Sequence, residues 1–109
     1  MPTMSLMNCS RNDVVLLPIP FTDLTSRKVR PAIVIGCHGT DVFLVPISSV
    51  LSNTDFPLQE WQQAGLNVPS GVKAQLATVE ARLILKIVGA ITAVDRETLD
   101  HRLRAWLQL

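Results

Sequence analysis

The stretch from Asp13 to Ile35 constrains the fold more than any other part of the chain. An apolar, β-branched run from Val14 to Ile19 leads into a polar loop carrying Arg27, Lys28 and Arg30. Arg30-Pro31 then opens a second apolar run, Ala32 to Cys37. Short apolar runs bounded by loop residues read as buried strands. Pro18 and Pro20 have no backbone donors, so the first strand is expected to end there or to lie at an edge. The three cations are therefore expected on a loop whose two ends a sheet holds in place. Guanidinium groups present fixed forks of donors to phosphate oxygens, so such a loop suits an anionic ligand.

The rest of the chain continues the pattern of short strands. His38-Gly39-Thr40-Asp41 reads as a hairpin turn, Val42 to Ile47 as the third strand, and Ser48 to Thr54 as a polar loop or sharp bend. Asp55 to Leu58 reads as a fourth strand or the far arm of a bent one, and Gln59 to Ala64 as one or two helical turns stopped by Gly65. Asn67 to Gly71 is a turn, Val72 to Val79 a half-buried strand, and Leu83 to Thr92 a further strand in which Gly89 marks a bulge or a close approach. At the end, Leu99, Leu103, Trp106 and Leu107 recur at helical spacing. Asp95 reads as the N-cap, Val94 as a staple onto Leu99, and Glu97–His101 and Asp100–Arg104 as favourable i,i+4 pairs. Several short strands and a terminal helix predict a mainly β fold, a small curled antiparallel barrel or sandwich. Residues 1–12 read as a flexible tail and 13–109 as one domain.

Composition sets limits on function. With 109 residues, 48% of them hydrophobic and 17% charged, the chain has enough apolar material for one core. A net charge of +1 gives no broad basic field, so any nucleic-acid contact must come from a local patch. Cys9 and Cys37 make no disulfide framework and lack the partners for a zinc site, and they read as reduced thiols. No metal or cofactor is expected. The N-terminus lacks the pattern of a secretory signal, and the apolar runs are too short or too interrupted to span a bilayer. A soluble cytoplasmic protein without a membrane partner is the expectation.

Four pieces of the sequence together resemble the MazF/PemK toxins of toxin–antitoxin systems. They are Asp13-Val-Val-Leu-Leu-Pro-Ile-Pro-Phe-Thr-Asp23, Arg30-Pro-Ala-Ile-Val-Ile35, Val45-Pro-Ile-Ser-Ser49, and a later piece made of Gly65–Lys73, Leu76–Glu80 and Leu83–Gly89, which looks like the PemK branch. The resemblance implies an SH3-like barrel of the Kid/MazF/CcdB type with a C-terminal helix. It implies a homodimeric, metal-independent endoribonuclease that cuts single-stranded RNA and is neutralised by a cognate antitoxin. By the same resemblance Arg30 is catalytic, Ser48 is the hydroxyl that shares its active site, and Lys73 and Gln75 occupy the positions of a basic residue and a carboxylate that act as acid and base. Two departures stand out. Gln75 cannot exchange a proton, and Asn12 replaces the family's usual glycine before Asp13. A catalytically attenuated binding module, acting on a protein target or with an antitoxin, is the alternative that Gln75 keeps open.

Metal-free RNA cleavage uses the RNA's own 2′-hydroxyl as nucleophile, a base and an acid for the two oxygens, and cations for the phosphorane. Positioned charge stabilisation usually contributes more to the rate than any other effect, and this puts Arg30 first. Its competing role is a strand-end ion pair with a carboxylate such as Asp23. Ser48 is a candidate phosphate donor and Ser49 a neighbouring contact, against ordinary turn chemistry. Lys73 reads as a phosphate contact, as a residue that takes over proton transfer, or as a solvated strand lysine. Arg27, Lys28 and Gln75 are RNA-contact candidates. His38 lies in a turn away from the Arg30 end of its strand, and His101 reads as a surface partner of Glu97. Glu80 and Arg82 flank a bend from which a carboxylate could act across a dimer. Trp61 and Trp106 read as core or interface anchors.

Overall fold

The computed structural model describes residues 8–18 and 28–109. Strands β1 (Asp13–Pro18), β2 (Val29–His38) and β3 (Asp41–Ser48) form an antiparallel meander, joined between β2 and β3 by the Gly39 turn (φ +62°). A one-turn 3₁₀ helix (Leu51–Asn53) leads to β4 (Phe56–Pro57), which pairs with β5 (Gly71–Val72). β6 (Ala77–Glu80), a second 3₁₀ turn (Ala81–Leu83), β7 (Lys86–Ala90) and α1 (Ala93–Leu107) complete the chain. The sheet has the order β4-β5-β3-β2-β1-β7, with β6 added on β3. The fold class is the one expected, mainly β with a C-terminal helix. The sheet curls without closing: among the described residues β7 pairs only with β1, and β4 only with β5.

The alternation of side chains in the meander divides the core in two. Val14, Ile33, Val45, Ile47 and Val72 face one way, and the helix closes over them with Leu99 and Leu103. Val15, Leu17, Ala32, Val34, Val42 and Leu44 face the other way and are joined by Ile84. The stripe Leu99, Leu103, Trp106 is thus the packing face of α1, whereas Leu107 remains exposed.

Several local expectations change. The run Val72–Val79 is two short strands, because the chain leaves β5 at Lys73 and rejoins the same strand β3 further along as β6. The strand expected over Leu83–Thr92 begins only at Lys86. There Val14 pairs with Gly89 and Val15 with Ile87, so Val88 is the bulged residue. Gly89 is the close approach: a Cβ there would stand 2.3 Å from the Ala64 carbonyl oxygen. The N-cap of α1 is Thr92, not Asp95. Asp95 lies within the first turn and is 1% exposed, and Val94 is exposed. Asp100 bonds Arg11 at 2.7 Å, instead of the anticipated Arg104.

The expected tail is anchored over its last residues. The Asn12 N–H donates to the Val34 carbonyl at 2.7 Å, and the Asn12 carbonyl accepts from Ile91 N–H. Asn12 has φ +80°, the left-handed region that favours glycine. Asparagine is among the few other residues that tolerate it.

Candidate nucleic-acid interface

The loop after β3, the chain entering β2 and the segment Gly65–Ser70 enclose a cleft of about 360 Å³. Its polar side chains are Arg30, Ser48, Ser49, Asn67 and Ser70, and its walls include Val29, Pro31, Val50, Leu66 and Val68. β2–β3 pairing explains why Arg30 and Ser48 meet here. Ala32 pairs with Pro46 at the end of that ladder, and Arg30 and Ser48 each lie two residues beyond it.

The hydrogen bonds show which groups remain available to a ligand. Ser70 Oγ donates to the Val68 carbonyl at 2.8 Å. Ser48 Oγ accepts from the Val50 N–H at 3.0 Å, which leaves its own hydrogen to donate. No ion pair or hydrogen bond occupies the Arg30 guanidinium among the described residues. Arg11, Arg82 and Arg102 each pair with a carboxylate. The described residues lining the cleft include no Asp, Glu or His, so no described acidic or imidazole side chain within it neutralises Arg30.

The wall of this cleft is built from the helix end. The Asp95 carboxylate accepts from the backbone N–H groups of Gln59 and Glu60, both at 2.9 Å. The Thr92 hydroxyl donates to the Glu60 carboxylate in return. Leu66 N–H donates to the Trp61 carbonyl at 3.1 Å, and Gly65 (φ +93°) lies so close to β7 that a Cβ would stand 2.3 Å from the Val88 carbonyl oxygen. Trp61 packs against the core, as does Trp106, the anchoring role expected of both.

Lys73 and Gln75 lie elsewhere. They line a shallow depression of about 380 Å³ with Ser52, Asn53, Thr54 and Asp55. Lys73 reaches β3 from the flank opposite β2, its N–H bonding the Pro46 carbonyl at 3.0 Å. Asp55 is engaged by Arg102 at 2.6 Å, and that guanidinium also lies 5.3 Å from the centre of the Phe56 ring. The sequence-based grouping of Arg30, Ser48 and Lys73 is thus split between two clefts.

Lys28 is exposed at the start of β2 and is engaged in an interaction of its own. Arg27 and Asp23 lie outside the described residues. Glu80 pairs with Arg82 at 3.1 Å on the far part of β3's other flank. His38 is exposed at the turn end of β2, away from the cleft. Cys37 is exposed, and burial pushes the Cys9 thiol upward from its ordinary value. No described helix is long and apolar enough to cross a membrane. Among the described residues, no group of three or more His, Cys, Asp or Glu side chains is gathered to hold a metal ion. Sequence reading missed Asn67 and Ser70, whose run Asn-Val-Pro-Ser carries only a turn signal.

No protein-family model matches the chain, and no curated protein matches its sequence. Solved structures do match in three dimensions. The Mycobacterium tuberculosis toxin MazF-mt6 superposes with a TM-score of 0.70 at 18% identity, covering 89% of this chain and 97% of that one. An endoribonuclease in complex with its cognate antitoxin from a mycobacterial species superposes with a TM-score of 0.71 at 15% identity, covering 94% and 97%. The chain has the MazF-like toxin fold.

Proposed function

We propose that the protein is the toxin of a type II toxin–antitoxin pair, a cytoplasmic, homodimeric, metal-independent endoribonuclease that cuts single-stranded RNA, mRNA included, at short sequences. One observation carries this reading: on a fold shared with an endoribonuclease, Arg30 lines an open cleft beside Ser48 with no carboxylate partner among the described residues. A cation in that setting favours a phosphodiester over any group of the chain itself. As the RNA 2′-hydroxyl attacks, the phosphorane gains negative charge. Arg30 stabilises that charge and Ser48 donates its free hydroxyl hydrogen to a non-bridging oxygen. The 2′-hydroxyl gives its proton to water, the 5′-oxygen takes one from water as its bond to phosphorus breaks, and a 2′,3′-cyclic phosphate remains. Lys73 holds a neighbouring phosphate in the second depression, and Ser49 and Gln75 contact the strand. Arg27 and Lys28 draw RNA toward the cleft by charge.

Incubating the purified protein with single-stranded RNA in EDTA tests this. Cyclic-phosphate ends that Arg30→Ala abolishes are the expected result, and equal cleavage by that variant overturns it. The second reading, a binding module without catalysis, is favoured by Gln75 and by the absence of carboxylate and imidazole from the described cleft lining. Growth arrest on expression without RNA ends would decide for it.

A further inference from the structure

Cys9 and Cys37 are free thiols that the cleavage chemistry does not use, and the fold brings them to one face of the sheet. Directly paired residues of an antiparallel ladder present their side chains on the same face, with Cβ atoms about 4.5–5.5 Å apart. Cys37 pairs with Val42, whose side chain belongs to the half of the core that holds Val15, Val34 and Leu44. Exposed Cys37 therefore lies at the rim of that half. Cys9 packs on the same half, although it comes from the segment before β1. A turn explains how it gets there. The Asp13 N–H donates to the Ser10 carbonyl at 3.0 Å and Asn12 supplies the positive φ, so the chain before Ser10 folds back over the sheet. Each cysteine is three residues from the Asn12–Val34 hydrogen bond, Cys9 before it and Cys37 after it. Electrostatics agree with this placing. Burial raises the Cys9 thiol most, and the charges of Asp13 and Cys37 raise it further. Charges act on one another over a distance of about 10 Å, which makes Cys37 a near neighbour.

We propose that Cys9 and Cys37 are a redox-active pair that glutathione disulfide closes to an intramolecular disulfide, clamping the segment before β1 onto β2. Exposure makes Cys37 the entry point. Its thiolate attacks one sulfur of glutathione disulfide, that S–S bond breaks, and one glutathione leaves. The Cys9 thiolate then attacks the Cys37 sulfur of the mixed disulfide and the second glutathione leaves. The two protein thiols lose two electrons, glutathione disulfide gains them, and the protons of the protein thiols end on the two released glutathiones. The ring so closed contains β1 and the β2 residues up to Cys37, Arg30 included, which restricts the unfolded chain and stabilises the fold. Cys37 and Arg30 lie at opposite ends of β2, so the clamp acts on stability and leaves the Arg30 cleft open.

The test equilibrates the whole protein with rising ratios of glutathione disulfide to glutathione, quenches it with N-ethylmaleimide and weighs it intact under denaturing conditions. The expected product is a single chain lacking two hydrogens, unreactive toward the maleimide and restored by dithiothreitol. Cys9→Ser should stop instead as a glutathione adduct on Cys37. The oxidised protein should melt about 10 °C above the reduced protein, a difference that both Cys9→Ser and Cys37→Ser should lack. A dithiol that persists at every ratio, glutathione adducts that accumulate on the wild-type protein, or disulfides between two chains overturn the proposal. An internal disulfide that leaves the melting temperature unchanged overturns it as well, because nothing is then clamped. None of these readouts involves RNA, so the proposal stands or falls apart from the ribonuclease reading.

Discussion

The two depressions on either flank of β3 contain similar residue types and differ in electrostatics. Each has one cation among hydroxyl and amide side chains: Arg30 with Ser48, Ser49 and Asn67, and Lys73 with Ser52, Thr54 and Gln75. The Lys73 depression also contains Asp55, which Arg102 engages, so an anion there meets a carboxylate as well as the lysine. The Arg30 cleft is walled by aliphatic side chains, and its described lining has no carboxylate. Charge acts more strongly where low-dielectric walls limit water. A planar guanidinium also fits a phosphoryl group better than a hydrated ammonium does. The same inventory therefore yields a site for transition-state charge on one side of the strand and a weaker backbone contact on the other.

That contrast is open to direct attack. Arg30→Ala should cost about 10²–10³ in cleavage rate, the usual loss for one transition-state donor, whereas Lys73→Ala should cost about tenfold or less. Single-turnover kinetics on one RNA measures both, and the reverse ranking would exchange the roles of the two clefts. Next in size is the wall. Gly65→Ala forces a Cβ onto the Val88 carbonyl at positive φ and should destabilise the fold by about 3 kcal/mol, read from its urea midpoint. A near-neutral result would mean that the wall of the Arg30 cleft is not clamped.

Asp95→Ala removes the acceptor from two backbone donors and should cost about 2 kcal/mol by the same measurement. Asp55→Ala, on the Lys73 side, breaks a half-exposed ion pair and should cost no more than about 1 kcal/mol. Similar losses from the two would remove the distinction between a built wall and a surface contact. The smallest effect is in salt dependence. Lys73→Ala should lower the slope of log affinity against log salt by about 0.7, the share of one phosphate contact on a single strand. An unchanged slope would take Lys73 out of the interface.

Legibility followed the range of the interactions. The β1–β2–β3 meander and the Leu99–Leu103–Trp106 face were readable because strand alternation and helical spacing are local patterns. Asp95 was misread for a related reason. An acidic residue near a helix start has the local signature of an N-cap, yet this carboxylate caps Gln59 and Glu60, more than thirty residues away in sequence. Asn12 was visible as a departure from a glycine, but its meaning depends on φ +80°, which only the backbone reveals. Lys73 and Gln75 were grouped with Arg30 by resemblance, and they lie on the other flank of β3 because the chain crosses from β5 to β6 there. Asn67 gave no functional signal, since a turn asparagine looks the same whether it faces solvent or a cleft.

What the amino-acid order alone determined was the first three strands, the terminal helix, and the placing of Arg30 and Ser48 on two of those strands, β2 and β3. Those are consequences of side-chain period and of proline and glycine placement, which act over a few residues. Only the tertiary structure decided that Arg30 lines a cleft without a described carboxylate, and that the Gly65–Ser70 segment became its wall. Those outcomes depend on contacts between distant segments, and burial and pairing exist only once the segments have met.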